Sequence, residues 1–227
     1  MSTCRLYPPG PRPDPALLEQ CRDLPTSVLS DSQERAGGMR GVHWVPGGRW
    51  PRVAGPALTV RTRPGDNLVV HRALDLAEPG DVLVVDGGGF LERAILGEIM
   101  GRYAVTRGLA ALVVDGAVRD AEGLAAGPIP VFAVGINHLG PYKDGPGEVH
   151  GPVQAGGTVV RSGDVIVGDG DGVVVIAHER AADIVAIGQA RLRSEEEQFE
   201  QIAAGTLDRS WVLAALAESH VADGVVQ

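Results

Sequence analysis

Residues 80–124 read GDVLVVDGGGFLERAILGEIMGRYAVTRGLAALVVDGAVRDAEGL. Two short apolar runs, residues 82–86 and 110–115, each end in an aspartate followed by a glycine. A strand covered on both faces reads this way, because neither face calls for polar residues until the chain leaves the sheet. Between the runs the spacing predicts a helix, with Gly97 as its N-cap and Gly108 as a left-handed stop. Ile99, Met100, Tyr103 and Ala104 form its expected apolar stripe. The stretch therefore predicts strand, loop, helix, strand, with Glu98, Arg119 and Asp120 gathered at one rim.

Upstream, residues 68–76 have helical spacing after the turn Pro64-Gly65-Asp66-Asn67. Residues 53–62 alternate around Pro56, which predicts an edge strand, because proline cannot donate to a ladder. Residues 39–51, rich in Gly, Trp and Pro, read as an ordered loop. Residues 26–31 lead into a short helical piece that Gly37 and Gly38 end. A helix begins near Asp14 with Leu17, Leu18 and Cys21 on one face. Residues 1–13 form a proline-rich, extended arm. Downstream, residues 129–134 predict a strand and residues 137–157 a loop. Residues 158–161, 164–168 and 172–176 predict three strands, the last two joined by the hairpin turn Asp169-Gly170-Asp171-Gly172. A long helix over 178–204 carries the acidic run Glu195, Glu196 and Glu197, Gly205 stops it, and a short helix follows around 211–217. With no repeat and no linker, the expectation is one α/β domain over 1–227, with the arm at 1–13 and a C-terminal helical extension at 178–227.

Composition narrows the function. Of 227 residues, 44% are hydrophobic but only 4% aromatic, so the core is aliphatic. The 32 glycines and 16 prolines are scattered between periodic segments and imply tight turns. A net charge of −9 argues against electrostatic nucleic-acid binding and suits a small ligand with a cation to offset local carboxylates. Cys4 and Cys21 lack metal-type spacing and read as reduced thiols, with a cytoplasmic location expected. No apolar run reaches membrane-spanning length, and the first residues do not read as a signal peptide.

Arg119-Asp120 is the sharpest chemical pair. Arginine just past a buried strand can clamp a carboxylate, and aspartate is a hard oxygen ligand for Mg²⁺ or Mn²⁺. The plainer alternative is a surface ion pair with Asp120 capping the next helix. The amides of residues 97–100, at a helix start, favour an anion. The alternative there is a helix start facing water, with Glu98 supplying only favourable first-turn charge. Turn chemistry alone accounts for Asp86 and Asp115. Gly87-Gly88-Gly89 lacks the Lys-Ser/Thr of a phosphate loop, and His71 and His150 are isolated. A serine elbow, a His-Glu-x-x-His motif and a dinucleotide fingerprint are all absent, which leaves little support for a methyltransferase.

Four stretches carry a family resemblance: GPALTVRTRPGDNLVVHRALDLAEPGDVLVVDGGG, GLAALVVDGAVRD, GPYKDGPGEVHGPV and GDVIVGDGDGVVVI. Together they span roughly residues 53–177. The chain resembles the class II pyruvate aldolases of the 4-hydroxy-4-methyl-2-oxoglutarate type, grouped with the proteins called regulator of ribonuclease activity A. The family hallmark is an acidic residue, twenty intervening residues, then Arg-Asp; here twenty residues lie between Glu98 and Arg119.

The resemblance implies a swivelling β/β/α sandwich assembled as a homotrimer with active sites between subunits. It implies that Gly97, Glu98, Ile99, Met100 and Arg119 bind a 2-keto acid, that Asp120 ligates Mg²⁺ or Mn²⁺, and that Arg119, Asp120 and Glu98 form the catalytic set. A glutamate from a neighbouring copy, Glu195, Glu196 or Glu197, would complete the outer shell. The family aspartate is Glu98 here, whose carboxylate is expected to face the metal's water shell. The implied reaction is metal-dependent cleavage of 4-hydroxy-2-keto acids to pyruvate through an enolate, with oxaloacetate decarboxylation as a second activity and a metal-ordered water as base. The alternative is a non-catalytic regulator that binds a ribonuclease.

Overall fold

The computed structural model describes residues 4–47 and 52–218. In chain order the elements are β1 (Cys4–Leu6), α1 (Pro15–Asp23), α2 (Thr26–Asp31), β2 (His43–Trp44), β3 (Val53–Thr62), α3 (Leu68–Leu76), β4 (Val82–Leu96), α4 (Glu98–Thr106), β5 (Ala111–Val118) and α5 (Ala121–Ala125). Then come β6 (Val131–Ile136), β7 (Gly147–Val149), β8 (Val153–Ala155), β9 (Thr158–Val160), β10 (Val165–Asp169), β11 (Gly172–Ile176), α6 (Ala181–Ala204) and α7 (Ser210–Glu218). The chain divides into two compact units, Met1–Gln189 and Ala190–Gln227.

In the first unit the main sheet runs β1-β7-β3-β4-β5-β6-β2, with β10 and β11 added at β3 and β8–β9 as a separate hairpin. Its centre, β3-β4-β5-β6, is parallel. Alternation along β4 sets two cores. Leu83 and Val85 join Leu58, Val60, Val70, Leu74, Leu112 and Met100 on the face covered by α3 and α4. Val82 and Val84 join Val113, Phe132, Ile166 and Val175 on the other face. Burial on both faces explains why these strands read as continuous apolar runs. The mixed α/β architecture is the class that the resemblance implied.

Several elements differ from expectation. β3 is not an edge strand. It pairs with β10 up to Pro56 and with β4 from Ala57 onward, and its far end also pairs with β7. Pro56 sits where the strand changes partners, so its missing N–H falls between two ladders rather than inside one. β4 does not end at Asp86. Gly88 and Gly89 take φ of +67° and +65°, the chain makes an irregular excursion, and the strand rejoins β5 with Ala94 opposite Ala117 and Leu96 opposite Val118. The expected loop over 137–157 holds all of β7 and β8, whose three-residue strands are too short to show a period. On α4 only Met100 and Ala104 of the expected stripe are buried; Ile99 is 79% exposed, and the Tyr103 hydroxyl donates to Asp75. Residues 48–51 of the expected ordered loop, and residues 1–3 of the arm, lie outside the described residues.

Among the described residues the second unit holds the remainder of α6 and α7. Phe199, Ile202, Trp211 and Leu213 are exposed there. Among the described residues no helix is long and apolar enough to cross a membrane.

Candidate active site

The β4–α4 junction is set by the sheet. Leu96 pairs with Val118, and the Arg119 N–H donates to the Leu96 carbonyl at 2.9 Å. The last residues of two parallel strands are thus locked side by side, with Gly97 next to Arg119 and Asp120. Gly97 caps α4 in an extended conformation. A Cβ there would strike Asp120 Oδ2 and come within 2.8 Å of Arg119 Cγ, so only glycine fits with the Asp120 carboxylate where it lies. Asp120 is left-handed, with φ of +54° and ψ of +44°, and its side chain makes no capping bond to α5. Its carboxylate turns back across the strand ends. The Glu98 N–H donates to Asp120 Oδ2 at 3.2 Å, and Arg119 Nε lies 3.6 Å from the same oxygen. Oδ1 has no hydrogen-bond partner among the described residues.

These groups border a cleft of ≈ 90 Å³ that also exposes Ile99, Met100, Asn67, His71 and Lys143. The amides of Ile99 and Met100 lie in the open first turn of α4, and no described group accepts from them. The Asn67 amide is 3% exposed and donates to the Ile95 carbonyl at 2.9 Å and to Met100 Sδ at 3.2 Å; its Oδ1 has no described partner.

Lys143 is the chain's single lysine. It reaches the cleft because its loop is tied to the turn before α3. Buried Asp66 accepts from the Leu68, Asp144 and Gly145 amides at 2.9, 3.0 and 2.7 Å and from Arg63 at 3.1 Å. Tyr142 exchanges backbone hydrogen bonds with Gly65 and Asn67, and Arg93 lies 4.2 Å from its ring centroid. Burial alone would raise the Asp66 pKa. The three amides and the Arg63 guanidinium outweigh it and hold the carboxyl below its ordinary range. His71, on α3, has its pKa lowered, first by burial and then by the Lys143 charge, against the opposing pull of Asp75.

Of the residues singled out in the sequence, Gly97, Ile99, Met100, Arg119 and Asp120 converge on this cleft. Glu98 contributes its backbone N–H, but its carboxylate does not face the cleft. Its Oε1 accepts from Arg102 Nε and Nη2 at 2.8 and 2.6 Å, and its Oε2 packs against Gly123 at the α4–α5 contact. Arg102 lies one helical turn on, where an i,i+4 pair is favoured, and this draws the longer glutamate along the helix. Glu195, Glu196 and Glu197 belong to the second unit. His150 lines a different cavity of ≈ 390 Å³ beneath the N-terminal arm, with its Nδ1 3.0 Å from Ser162 Oγ. Asn67, His71 and Lys143 join this cleft without a motif in the sequence that assigns them to it. Only Lys143 carried a sequence signal, its uniqueness in the chain.

A helix-start amide pair and an arginine at the carboxyl ends of parallel strands are groups able to bind an anion, and the carboxylate beside them is of a type able to ligate a hard cation. The model of the family described as RraA-like, Aldolase/RraA, matches residues 26–175, and the chain belongs to that family. A protein of Halalkalibacterium halodurans, provisionally named 4-hydroxy-4-methyl-2-oxoglutarate aldolase, is 36% identical over 185 residues, covering 82% of this chain and 88% of its own. The solved structure of Streptomyces coelicolor RraAS2, described as an unusual member of the RNase ES inhibitor RraA family, is similar with a TM-score of 0.72 at 29% identity, over 85% of this chain and 100% of that one. The RNA-processing inhibitor RraA of Thermus thermophilis gives 0.61 at 37% identity, over 67% and 92%.

Proposed function

We propose that this chain is a lyase that cleaves 4-hydroxy-2-keto acids, of the 4-hydroxy-4-methyl-2-oxoglutarate type, to pyruvate, and decarboxylates oxaloacetate. The observation that carries this reading is the convergence of the Ile99 and Met100 amides, Arg119, Lys143 and Asp120 on one cleft. The amides and the Arg119 fork suit the keto-acid carboxylate. Lys143 adds positive charge for a second carboxylate, which both named substrates carry.

A divalent cation fits the donor set. Asp120 offers a carboxylate oxygen free of described partners, and Mg²⁺ is commonly held by one or two carboxylates with water completing its shell. Among the described residues no group of three His, Cys, Asp or Glu side chains forms a fuller cage. When bound, Mg²⁺ or Mn²⁺ would supply Lewis-acid stabilisation of oxyanion charge at the keto oxygen. The protein's own residues do the rest. Arg119 orients the carboxylate, the Glu98 amide fixes Asp120, and Gly97 leaves the space in which both meet. No lysine Schiff base is needed for enolate formation on this route.

The proposed assembly is a homotrimer, supported by the exposed Phe199, Ile202, Trp211 and Leu213 of the second unit. A neighbouring copy's Glu195, Glu196 or Glu197 would then be available to the outer shell of the cation. The location proposed is cytoplasmic. The deciding experiment is pyruvate release from a panel of 4-hydroxy-2-keto acids and from oxaloacetate, with and without Mg²⁺. Metal-dependent release supports the reading, and its absence throughout sinks it. A second reading, a regulator that binds a ribonuclease, is favoured by the likeness to RraA proteins described as inhibitors. Inhibition of a purified ribonuclease by a protein that releases no pyruvate would select it.

A further inference from the structure

Carbon–carbon cleavage of a 4-hydroxy-2-keto acid requires a base for the C4 hydroxyl proton, and decarboxylation does not. The cleft contains few groups able to serve. Arg119 and Lys143 are the side chains assigned above to the substrate carboxylates. Asp120 is tied to the Glu98 amide and Arg119, and it is the carboxylate proposed to hold the cation. The Glu98 carboxylate is turned away to Arg102. There remains His71, which borders the same cleft from α3.

We propose that His71, rather than a metal-ordered water, is the general base and then the acid of the cleavage step; this rests on the aldolase reading above. The imidazole takes the C4 hydroxyl proton, and the oxygen electron pair forms the C4 carbonyl. The C3–C4 bond breaks, its electron pair forms the C2–C3 double bond, and the C2 carbonyl π pair moves onto oxygen, which gives the pyruvate enolate. The imidazolium returns the same proton to C3. The sum is one hydroxy-keto acid converted to pyruvate and a second carbonyl compound, with no oxidant or reductant.

The surroundings suit both halves of that cycle. Lys143 faces His71 from the 140–145 loop, Asp75 lies one turn on along α3, and Arg119 and Asp120 share the cleft. Burial and Lys143 disfavour the imidazolium, which favours the neutral ring, the form that accepts a proton. The same positive charge makes the imidazolium a stronger acid once formed, which speeds its return of the proton to carbon.

The test compares the wild-type protein with His71→Gln and His71→Gly at saturating Mg²⁺, using 4-hydroxy-4-methyl-2-oxoglutarate and oxaloacetate between about pH 5 and 9. Thermal melting checks that each variant folds. The ratio of cleavage kcat to decarboxylation kcat should fall about 100-fold in His71→Gln, within the range seen for positioned general bases. The acid limb of wild-type cleavage should inflect below 6.5, the ordinary histidine value, and should vanish in the variant. Added imidazole should restore cleavage in His71→Gly. An unchanged ratio, or an acid limb that survives the substitution, overturns the assignment of His71. Wild-type protein that releases no pyruvate from any 4-hydroxy-2-keto acid overturns the aldolase reading itself.

Discussion

A Cβ on residue 97 would overlap the Oδ2 of Asp120, so the absence of a side chain at Gly97 is what allows the carboxylate to lie across the start of α4. The backbone of Gly97, with φ of −149° and ψ of −165°, is open to any residue. Gly97→Ala therefore changes only space. It should leave the melting temperature nearly unchanged, displace Asp120 and lower kcat/KM for oxaloacetate at least tenfold, ~1.4 kcal/mol. Steady-state decarboxylation beside a thermal melt checks this; wild-type activity in a folded alanine variant would show that Asp120's position is unimportant.

Asp120→Asn should separate charge from shape. Asparagine tolerates the left-handed backbone and still accepts from the Glu98 amide, so the fold should persist. The variant should lose the Mg²⁺ dependence of its activity, with turnover down about 100-fold. Calorimetric titration with Mn²⁺ reads the metal directly, and affinity equal to the parent's would remove Asp120 from the proposed site.

Glu98 gives a sharper contrast because its two functional parts face different ways. Its amide serves Asp120, while its carboxylate serves Arg102. Glu98→Gln and Arg102→Ala should each change kcat/KM by about threefold or less and cost a few tenths of a kcal/mol in stability, the scale of an exposed i,i+4 pair. A Mg²⁺ titration of both variants decides. Loss of metal affinity in Glu98→Gln alone would mean that the carboxylate reaches the metal's water shell after all.

Asp66 makes the fold sensitive to acid. Its folded pKa lies below the ordinary 3.8, so its contribution is fully present above that value and is lost as pH falls from there through the lower folded pKa. Urea unfolding between about pH 2 and 7 should show Asp66→Asn less stable than wild type at neutrality, with the gap closing below 3.8. A gap independent of pH would mean that packing, not the charge, carries the effect.

The assembly has its own measurement. Sedimentation at micromolar concentration should give a species near three times the 23.6 kDa chain mass, and truncation before α7 should weaken it. A stable monomer contradicts the proposed trimer.

What the sequence disclosed follows from range. The strands around Val84 and Val113 were legible because burial on both faces leaves a local signature, and α3 because nine residues suffice to show a period. In β3 the sequence misleads at Pro56, because a change of partner is decided by β4 and β10, far away in the chain. Gly97, Arg119 and Asp120 were legible as a motif. His71 and Lys143 were not, since their meeting depends on Asp66 drawing the 140–145 loop to the α3 turn. The direction of the Glu98 carboxylate depended on Arg102, a neighbour whose partner spacing alone does not assign.

The Leu96–Val118 register has a consequence for the twenty-residue interval between Glu98 and Arg119. That interval is the contour length of one crossover: out along α4, around the turn at Gly108, and back along β5. It fixes no distance between the two residues, which meet because neighbouring strands end at the same level. A whole turn added to or removed from α4, matched by the following loop, would alter the count and leave Gly97 beside Arg119. A single residue slipped within β5 would preserve the chain's length almost unchanged and swing Arg119 to the opposite side of the sheet. In searching for distant kin, strand phase is therefore the better ruler than spacing.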